Sequence, residues 1–152
     1  MGTPSRTLLA LAALVASGSL LAGCSLFGPA RDADGRVTDT SVIGSTDLLV
    51  GDCFSFVEGS ENSEAEVTPC ENEHSYIVIG EGTLSASAVD EAGSLQNAVS
   101  VACADPFTEF KAAATDGSKP EQEFIVSTRQ EDGKEVTTYH CVATDAAIVA
   151  AE

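Results

Sequence analysis

Four cysteines in the last hundred or so residues of the chain are the feature that most constrains its fold. They are Cys53, Cys70, Cys103 and Cys141. If bonded to one another, four cysteines can form two links in three different pairings, and each pairing brings different segments together. Disulfides form and persist in oxidising compartments, so the first question is whether the chain is exported.

The N-terminus has the pattern of a secretory signal. Arg6 precedes an apolar run of 14 residues, Leu8 to Leu21, which is too short to span a bilayer comfortably. The run ends in Leu21-Ala22-Gly23-Cys24, which resembles a bacterial lipobox. That resemblance implies cleavage before Cys24 and attachment of acyl chains such as palmitate to its sulfur. An ordinary signal peptide that contains a cysteine is the alternative interpretation.

These features predict an ordered set of segments in the chain. Residues 1–23 form the signal peptide, and 24–47, rich in Gly, Ser, Thr and Asp, form a flexible tether. A folded domain of 48–145 follows, and 146–152 form a small apolar tail. The lipid on Cys24 would hold the domain on the extracytoplasmic face of the cell membrane without a transmembrane helix.

Within the domain, the sequence predicts an α+β fold. Apolar runs and alternating segments predict strands at 48–57, 64–70, 75–80, 123–128 and 135–143. From Ser94 the apolar residues recur at helical steps, and Pro106 interrupts this helix before it ends near Ala114. Asp132-Gly133 indicates a hairpin between the last two strands. We therefore expect an antiparallel sheet of four to five strands packed on one kinked helix, with two disulfides.

Of the three cysteine pairings, we favour Cys53–Cys70 with Cys103–Cys141. The first bond would join the opening strand to its neighbour, and the second would join the apolar face of the helix to the last strand. The competing interpretation is a zinc site, because Cys70-x3-His74 and His140-Cys141 supply two thiols and two imidazoles. Successive residues of a strand point to opposite faces, which argues against that site, and we expect no bound metal.

The domain also resembles a known family. Gly51-Asp52-Cys53-Phe54, then Val67-Thr68-Pro69-Cys70, His74, Cys103 and Cys141 are similar to the septum-formation domain of actinobacterial envelope proteins. The resemblance covers about Leu48 to Ala143. The chain departs from the family pattern around His74, which follows Glu73, and it contains no Trp. The resemblance implies work in division or the cell envelope and no known reaction.

Two residues of this stretch are candidates for contact with a ligand. His74 is interpreted first as a structural histidine bonded to the backbone, and alternatively as a ligand-facing or pH-sensitive group. Asp52 is interpreted first as a cap of its own turn. The sequence contains no Gly-x-Ser-x-Gly elbow and no Cys-x-x-Cys pair, so we expect no catalytic residues, no enzyme activity and no cofactor.

The charge of the chain restricts its partners. With 24 acidic and 7 basic residues, the formal net charge is −17. This charge argues against nucleic acid, where basic side chains must neutralise phosphates. We expect a non-enzymatic binding or structural module that contacts an envelope protein or a wall component, in the context of septum formation. A small-ligand-binding lipoprotein for transport or sensing is the alternative function.

Overall fold

One antiparallel sheet of six strands organises the computed structural model, which describes residues 28–114 and 119–144. The strands are β1 (Ser41–Gly44), β2 (Cys53–Phe56), β3 (Glu64–Thr68), β4 (Tyr76–Leu84), β5 (Gln122–Glu131) and β6 (Lys134–Thr144). Their order in the sheet is β1-β3-β2-β4-β6-β5. The helices are α1 (Ala86–Ala92), α2 (Leu95–Ala102) and α3 (Ala104–Ala113), and a 3-10 helix spans Ser45–Asp47.

The predicted α+β class is confirmed, but the predicted number of elements is too low. The sheet has six strands instead of four to five, because β1 comes from the segment predicted to be a tether. The single kinked helix is in fact α2 and α3, which meet at Cys103, and α1 precedes them. Pro106 lies in the first turn of α3, where the missing N–H costs little.

The first predicted strand is also shorter than expected. Only Cys53–Phe56 pairs with neighbouring strands. The preceding residues form a turn in which the N–H of Asp52 donates to the carbonyl of Leu49, and Gly51 adopts a φ of 92°. A positive φ costs glycine little, so this turn replaces the start of the strand.

The prediction of a flexible tether over 24–47 is wrong for most of that segment. Ser41–Gly44 pairs antiparallel with β3, and Arg31 bridges to Val37 in a short hairpin. Val37 is buried in the core. The segment lacks local periodicity, and its order comes from pairing with β3, which is distant in sequence. The folded unit therefore begins before Leu48.

Several predictions fall outside the described residues. These are the signal peptide of 1–23, the lipidated Cys24 and the apolar tail of 146–152. In the ranges that the structure describes, no helix is both long and apolar enough to cross a membrane.

The sheet carries a separate hydrophobic core on each face. The first core contains Leu48, Phe54, Val67, Val78 and Val142, and the aromatic rings of Phe54 and Tyr76 stack with centroids 5.4 Å apart. The second core lies between the sheet and the helices and contains Val99, Cys103 and Cys141. The central strand β4 faces both cores, which explains its nearly continuous apolar run.

The helices pack closely on β4 because it lacks side chains where they approach. A Cβ added at Gly80 would lie 3.1 Å from Cγ of Pro106 in α3. The register of β4 against β6 shifts between Val78 and Gly80, which forms an irregularity at the same place. A Cβ at position 80 would therefore be tight against Pro106, and α3 would have to shift by a few tenths of an ångström to accept it.

The predicted hairpin is confirmed. Asp132 and Gly133 connect β5 to β6 with φ values of 50° and 75°, as a two-residue type I′ loop requires. Glu131 pairs directly with Lys134, and the register continues to Gln122 opposite Ala143. This hairpin places β5 at one edge of the sheet, with β1 at the other.

Both favoured disulfides are present. Cys53 and Cys70 are joined with their Cα atoms 5.2 Å apart, and Cys103 and Cys141 with theirs 5.4 Å apart. The first bond links β2 to the residues that follow β3. The second lies in the second core, where both cysteines are fully buried, and connects the junction of α2 and α3 to β6.

The two bonds differ in their expected contribution to stability. Loop closure predicts that the Cys103→Ala/Cys141→Ala double variant loses about 4 kcal/mol of unfolding free energy and the Cys53→Ala/Cys70→Ala variant about 3 kcal/mol. The first variant also leaves unfilled space in the second core, which adds to its loss. Urea unfolding of the two double variants measures the difference. Equal stabilities, or a larger loss for the Cys53 pair, would contradict this expectation.

Candidate functional site

Asp52 lies at the centre of a buried polar cluster. Its side chain is 2% exposed, and Arg31 binds both of its oxygens, with Nη1–Oδ1 at 2.6 Å and Nη2–Oδ2 at 2.8 Å. The N–H of Leu49 also donates to Oδ2 at 2.8 Å. The prediction that Asp52 caps its own turn is confirmed by this last bond.

The ion pair connects the N-terminal hairpin to the sheet. Arg31 Nη1 donates a further bond to the carbonyl of Gly35, so the guanidinium is held from both sides. Hydrogen bonding to Asp52 raises the pKa of Arg31, which remains protonated at any ordinary pH. Asp52 therefore accepts three hydrogen bonds from within the protein, and these fix the orientation of its carboxylate.

His74 is buried in the turn that follows Cys70. It is 3% exposed, and its Nδ1 donates to the carbonyl of Asn72 at 2.8 Å. The structural interpretation, a histidine bonded to the backbone, is therefore the one that the geometry supports. Asn72 is held in turn by its own side-chain amide, which donates to Thr68.

His140 also holds a distant backbone segment. It lies on β6, an interior strand, and is 7% exposed. Its Nε2 donates to the carbonyl of Leu48 at 2.9 Å, and Glu81 Oε2 lies 3.8 Å from the same nitrogen. The ring thereby fixes the residue that enters the turn before β2.

The zinc interpretation fails on the chemistry of its sulfurs. Cys70 and Cys141 are each oxidised in a disulfide, so neither can supply a thiolate to a metal. His74 and His140 are each engaged with a backbone carbonyl. Among the residues at 28–114 and 119–144, no three His, Cys, Asp or Glu side chains are grouped to hold a metal ion.

A cleft lies between the N-terminal hairpin and the first disulfide. We name it the hairpin cleft; it has a volume of about 670 Å³ and is lined by Asp32, 34–38, Val50, Gly51, Cys53, Thr68, Cys70 and Glu71. Asp32 organises the hairpin, since its Oδ1 accepts from the N–H groups of Asp34 and Arg36. The exposed charged residues of its lining are Asp32, Asp34, Arg36 and Glu71.

A second concave site lies beside the edge strand β5. We name it the β5 slot; it has a volume of about 390 Å³ and is lined by Ser45, Thr46, Phe56, 61–63, 123–127 and Val142. Phe56, Ile125 and Val142 contribute apolar side chains to a lining that also contains hydroxyl and acidic groups, and Glu61 and Glu123 are exposed there. The 3-10 helix after β1 packs near β5, so the two ends of the curved sheet approach each other here.

Comparison of the chain with models of known protein families, with curated proteins and with solved structures gave no match. The residues that form the sites therefore have to be interpreted from their own chemistry.

Sequence reasoning missed Arg31, β1 and the β5 slot. Arg31 lies in a polar stretch with no periodicity, and its partner Asp52 is 21 positions away. Val37 and Ile43, isolated apolar residues in that stretch, were the available signal that it packs on the domain. The slot carries no sequence signal, because it is formed by segments that the curvature of the sheet brings together.

Removal of the Arg31 side chain should destabilise the protein, whereas removal of the exposed Arg36 side chain should not. Arg31→Ala leaves the buried carboxylate of Asp52 without its counter-charge, and we expect a loss of about 2–3 kcal/mol of unfolding free energy. Arg36→Ala, on the exposed side of the same hairpin, is the matched control and should change it by less than about 0.5 kcal/mol. Urea unfolding at pH 7 measures both variants. Similar small effects for the two would show that the Arg31–Asp52 ion pair contributes little to stability.

Proposed function

We propose that this chain is a lipid-anchored, non-enzymatic binding module on the extracytoplasmic side of a bacterial membrane, acting in septum formation or a related envelope process. The resemblance of 51–54, 67–70 and His74 to the septum-formation domain supports the process. The lipobox-like sequence before Cys24 supports the anchor.

The main support for the proposal is that the side chains best suited to chemistry, the cysteines, the histidines and Asp52, hold the fold together. The four cysteines of the domain form disulfides, and His140 and Asp52 position the turn before β2. His74 holds a second turn. These groups are engaged with the protein itself, and all of them except Cys70 are buried. The two clefts are lined by charged, hydroxyl and apolar residues, and neither lining includes a histidine or a free thiol. Such surfaces suit binding rather than bond cleavage.

The disulfides and the net charge of the domain favour a location outside the cytoplasm and a basic partner. Two disulfides suit an oxidising compartment outside the cytoplasm. A formal charge of −17 attracts basic surfaces at short range and repels anionic ones. The partner we propose is therefore an envelope protein or wall component that presents positive charge.

The hairpin cleft supports a second candidate, a lipoprotein that binds a small ligand for transport or sensing. Its volume of about 670 Å³ lies within the range of ligand sites in proteins. Its lining is contributed by segments that a disulfide and an ion pair hold in place, which favours a preformed site.

A thermal-shift screen tests this second candidate. A ligand of the cleft should raise the melting temperature of the wild type by several degrees at saturating concentration, because it binds only the folded state. Thr38→Trp, which places a ring in the cleft, should abolish the shift. Thr108→Trp on α3 is the matched control, since both threonines are exposed and donate to a backbone carbonyl. A shift that survives in Thr38→Trp places the ligand elsewhere.

Imaging of the full chain tests the leading proposal. A functional fluorescent fusion should fractionate with the membrane and be enriched at the division site. Cys24→Ser should move the fusion to the soluble fraction, because the acyl chains would be lost. An even membrane distribution, with normal division after deletion of the gene, would overturn the septal role. Membrane retention of Cys24→Ser would overturn the anchor.

A further inference from the structure

The outer edge of β5 has features of a surface made for pairing. β5 is ten residues long and hydrogen-bonds only to β6, so its other side is an edge of the sheet. Proteins protect such edges with prolines, charged side chains, irregularities or short strands. β5 contains no proline, its register with β6 is unbroken over all ten pairs, and its charged residues Glu123, Arg129 and Glu131 leave residues 124–128 without a charge. The opposite edge, β1, is only four residues long.

The register identifies which backbone groups face outward. The N–H of Thr144 donates to the carbonyl of Glu121, and antiparallel pairs alternate from there, so the odd-numbered residues of β5 bond to β6. The outward-facing residues are Gln122, Phe124, Val126, Thr128 and Gln130. Within 28–114 and 119–144, the N–H and C=O groups of these five residues make no hydrogen bond.

The β5 slot supplies side-chain recognition beside this edge. It runs along residues 123–127, so the outward N–H and C=O groups of Phe124 and Val126 lie at its border. Two half-buried residues of its lining, Phe56 and Ile125, can contact an apolar side chain. A bound strand points alternate side chains to one face, so one set enters the slot while the backbone pairs with β5.

We propose that β5 receives an extended, basic segment of a partner protein, which adds a seventh, antiparallel strand to the sheet. This inference rests on the proposed binding function and specifies its partner. The outward groups of β5 provide the main-chain hydrogen bonds, and the slot selects apolar residues at alternate positions. The basic residues of the segment lie against the carboxylates around the slot.

Charge decides between a basic partner and a second copy of this chain. Glu61 and Glu123 line the slot, Glu121 precedes β5, and Glu131 is its last residue. Arg129 is paired with Glu131 at 2.9 Å. Two copies, each with a charge of −17, would place these acidic edges against one another and repel. A lysine- or arginine-bearing strand instead gains attraction at the same positions.

The probe for this proposal is a ten-residue peptide of alternating Lys and Val, acetylated and amidated at its ends. Amide hydrogen exchange of the ¹⁵N-labelled domain, followed by NMR, reports on each outward N–H directly and needs no substitution in the protein. We expect the peptide to slow exchange by at least about tenfold at Phe124, Val126 and Thr128, because these amides acquire acceptors. Amides of odd-numbered residues, already bonded to β6, should change little.

Two controls separate strand addition from general attraction to an acidic protein. The same peptide with alternate amides N-methylated keeps its charge but cannot pair through that edge, and it should bind at least about tenfold more weakly. Glu123→Gln should weaken binding of the unmodified peptide several-fold. Glu109→Gln, at an exposed residue of α3 that does not line the β5 slot, makes the same charge change and should leave binding unaltered.

The outcomes distinguish this inference from the proposed function. Equal binding of the methylated and unmodified peptides, or no change in exchange at the outward amides, overturns strand addition at β5. Protection of these amides that rises with protein concentration alone identifies a second copy as the occupant and also overturns it. Septal enrichment of the full chain would persist in either case if the domain binds its partner through another surface.

Discussion

The disulfide between Cys103 and Cys141 is the constraint on which the layered arrangement depends. It lies in the second core and joins the meeting point of α2 and α3 to β6. The three helices are short, and helices of seven to ten residues are unstable unless their apolar faces pack on something else. A covalent link between their junction and an interior strand holds the faces of Leu95 and Val99 against the sheet, where the bare backbone of Gly80 lets α3 approach.

A second constraint comes from the buried carboxylate of Asp52. An ionised group that is 2% exposed requires a counter-charge and hydrogen bonds, and both arrive from other parts of the chain. Arg31 provides the charge and so binds the N-terminal hairpin to the domain. His140 holds the same turn through Leu48. Asp52 and His140 would be candidates for catalytic residues by their chemistry, but here they connect the sheet to its loops.

In this arrangement, β1 and β5 are the edge strands of the described sheet, and each has one side whose backbone N–H and C=O groups face no neighbouring strand. At one end β1 is short, and at the other β5 is long and continuous. Curvature brings the 3-10 helix and the β2–β3 loop towards β5, so the edge borders a slot lined by both apolar and polar side chains, two of them acidic. A rigid, cross-linked scaffold with one such edge can bind an extended chain at low entropic cost to itself, since little of it must become ordered.

The α+β class and the β5–β6 hairpin could be predicted from the sequence, which also favoured the two disulfide pairs over the other pairings. Each of these depends on signals local to a segment: alternation, apolar runs, Asp132-Gly133, and cysteines on recognisable faces. Only the tertiary structure decided that 31–47 belongs to the fold, that Asp52 is held by Arg31, and that β5 is an edge beside a slot. The physical reason is distance along the chain. A charge pair 21 residues apart and a strand ordered only by β3 leave no periodic pattern, and the slot exists only where the sheet curves back on itself.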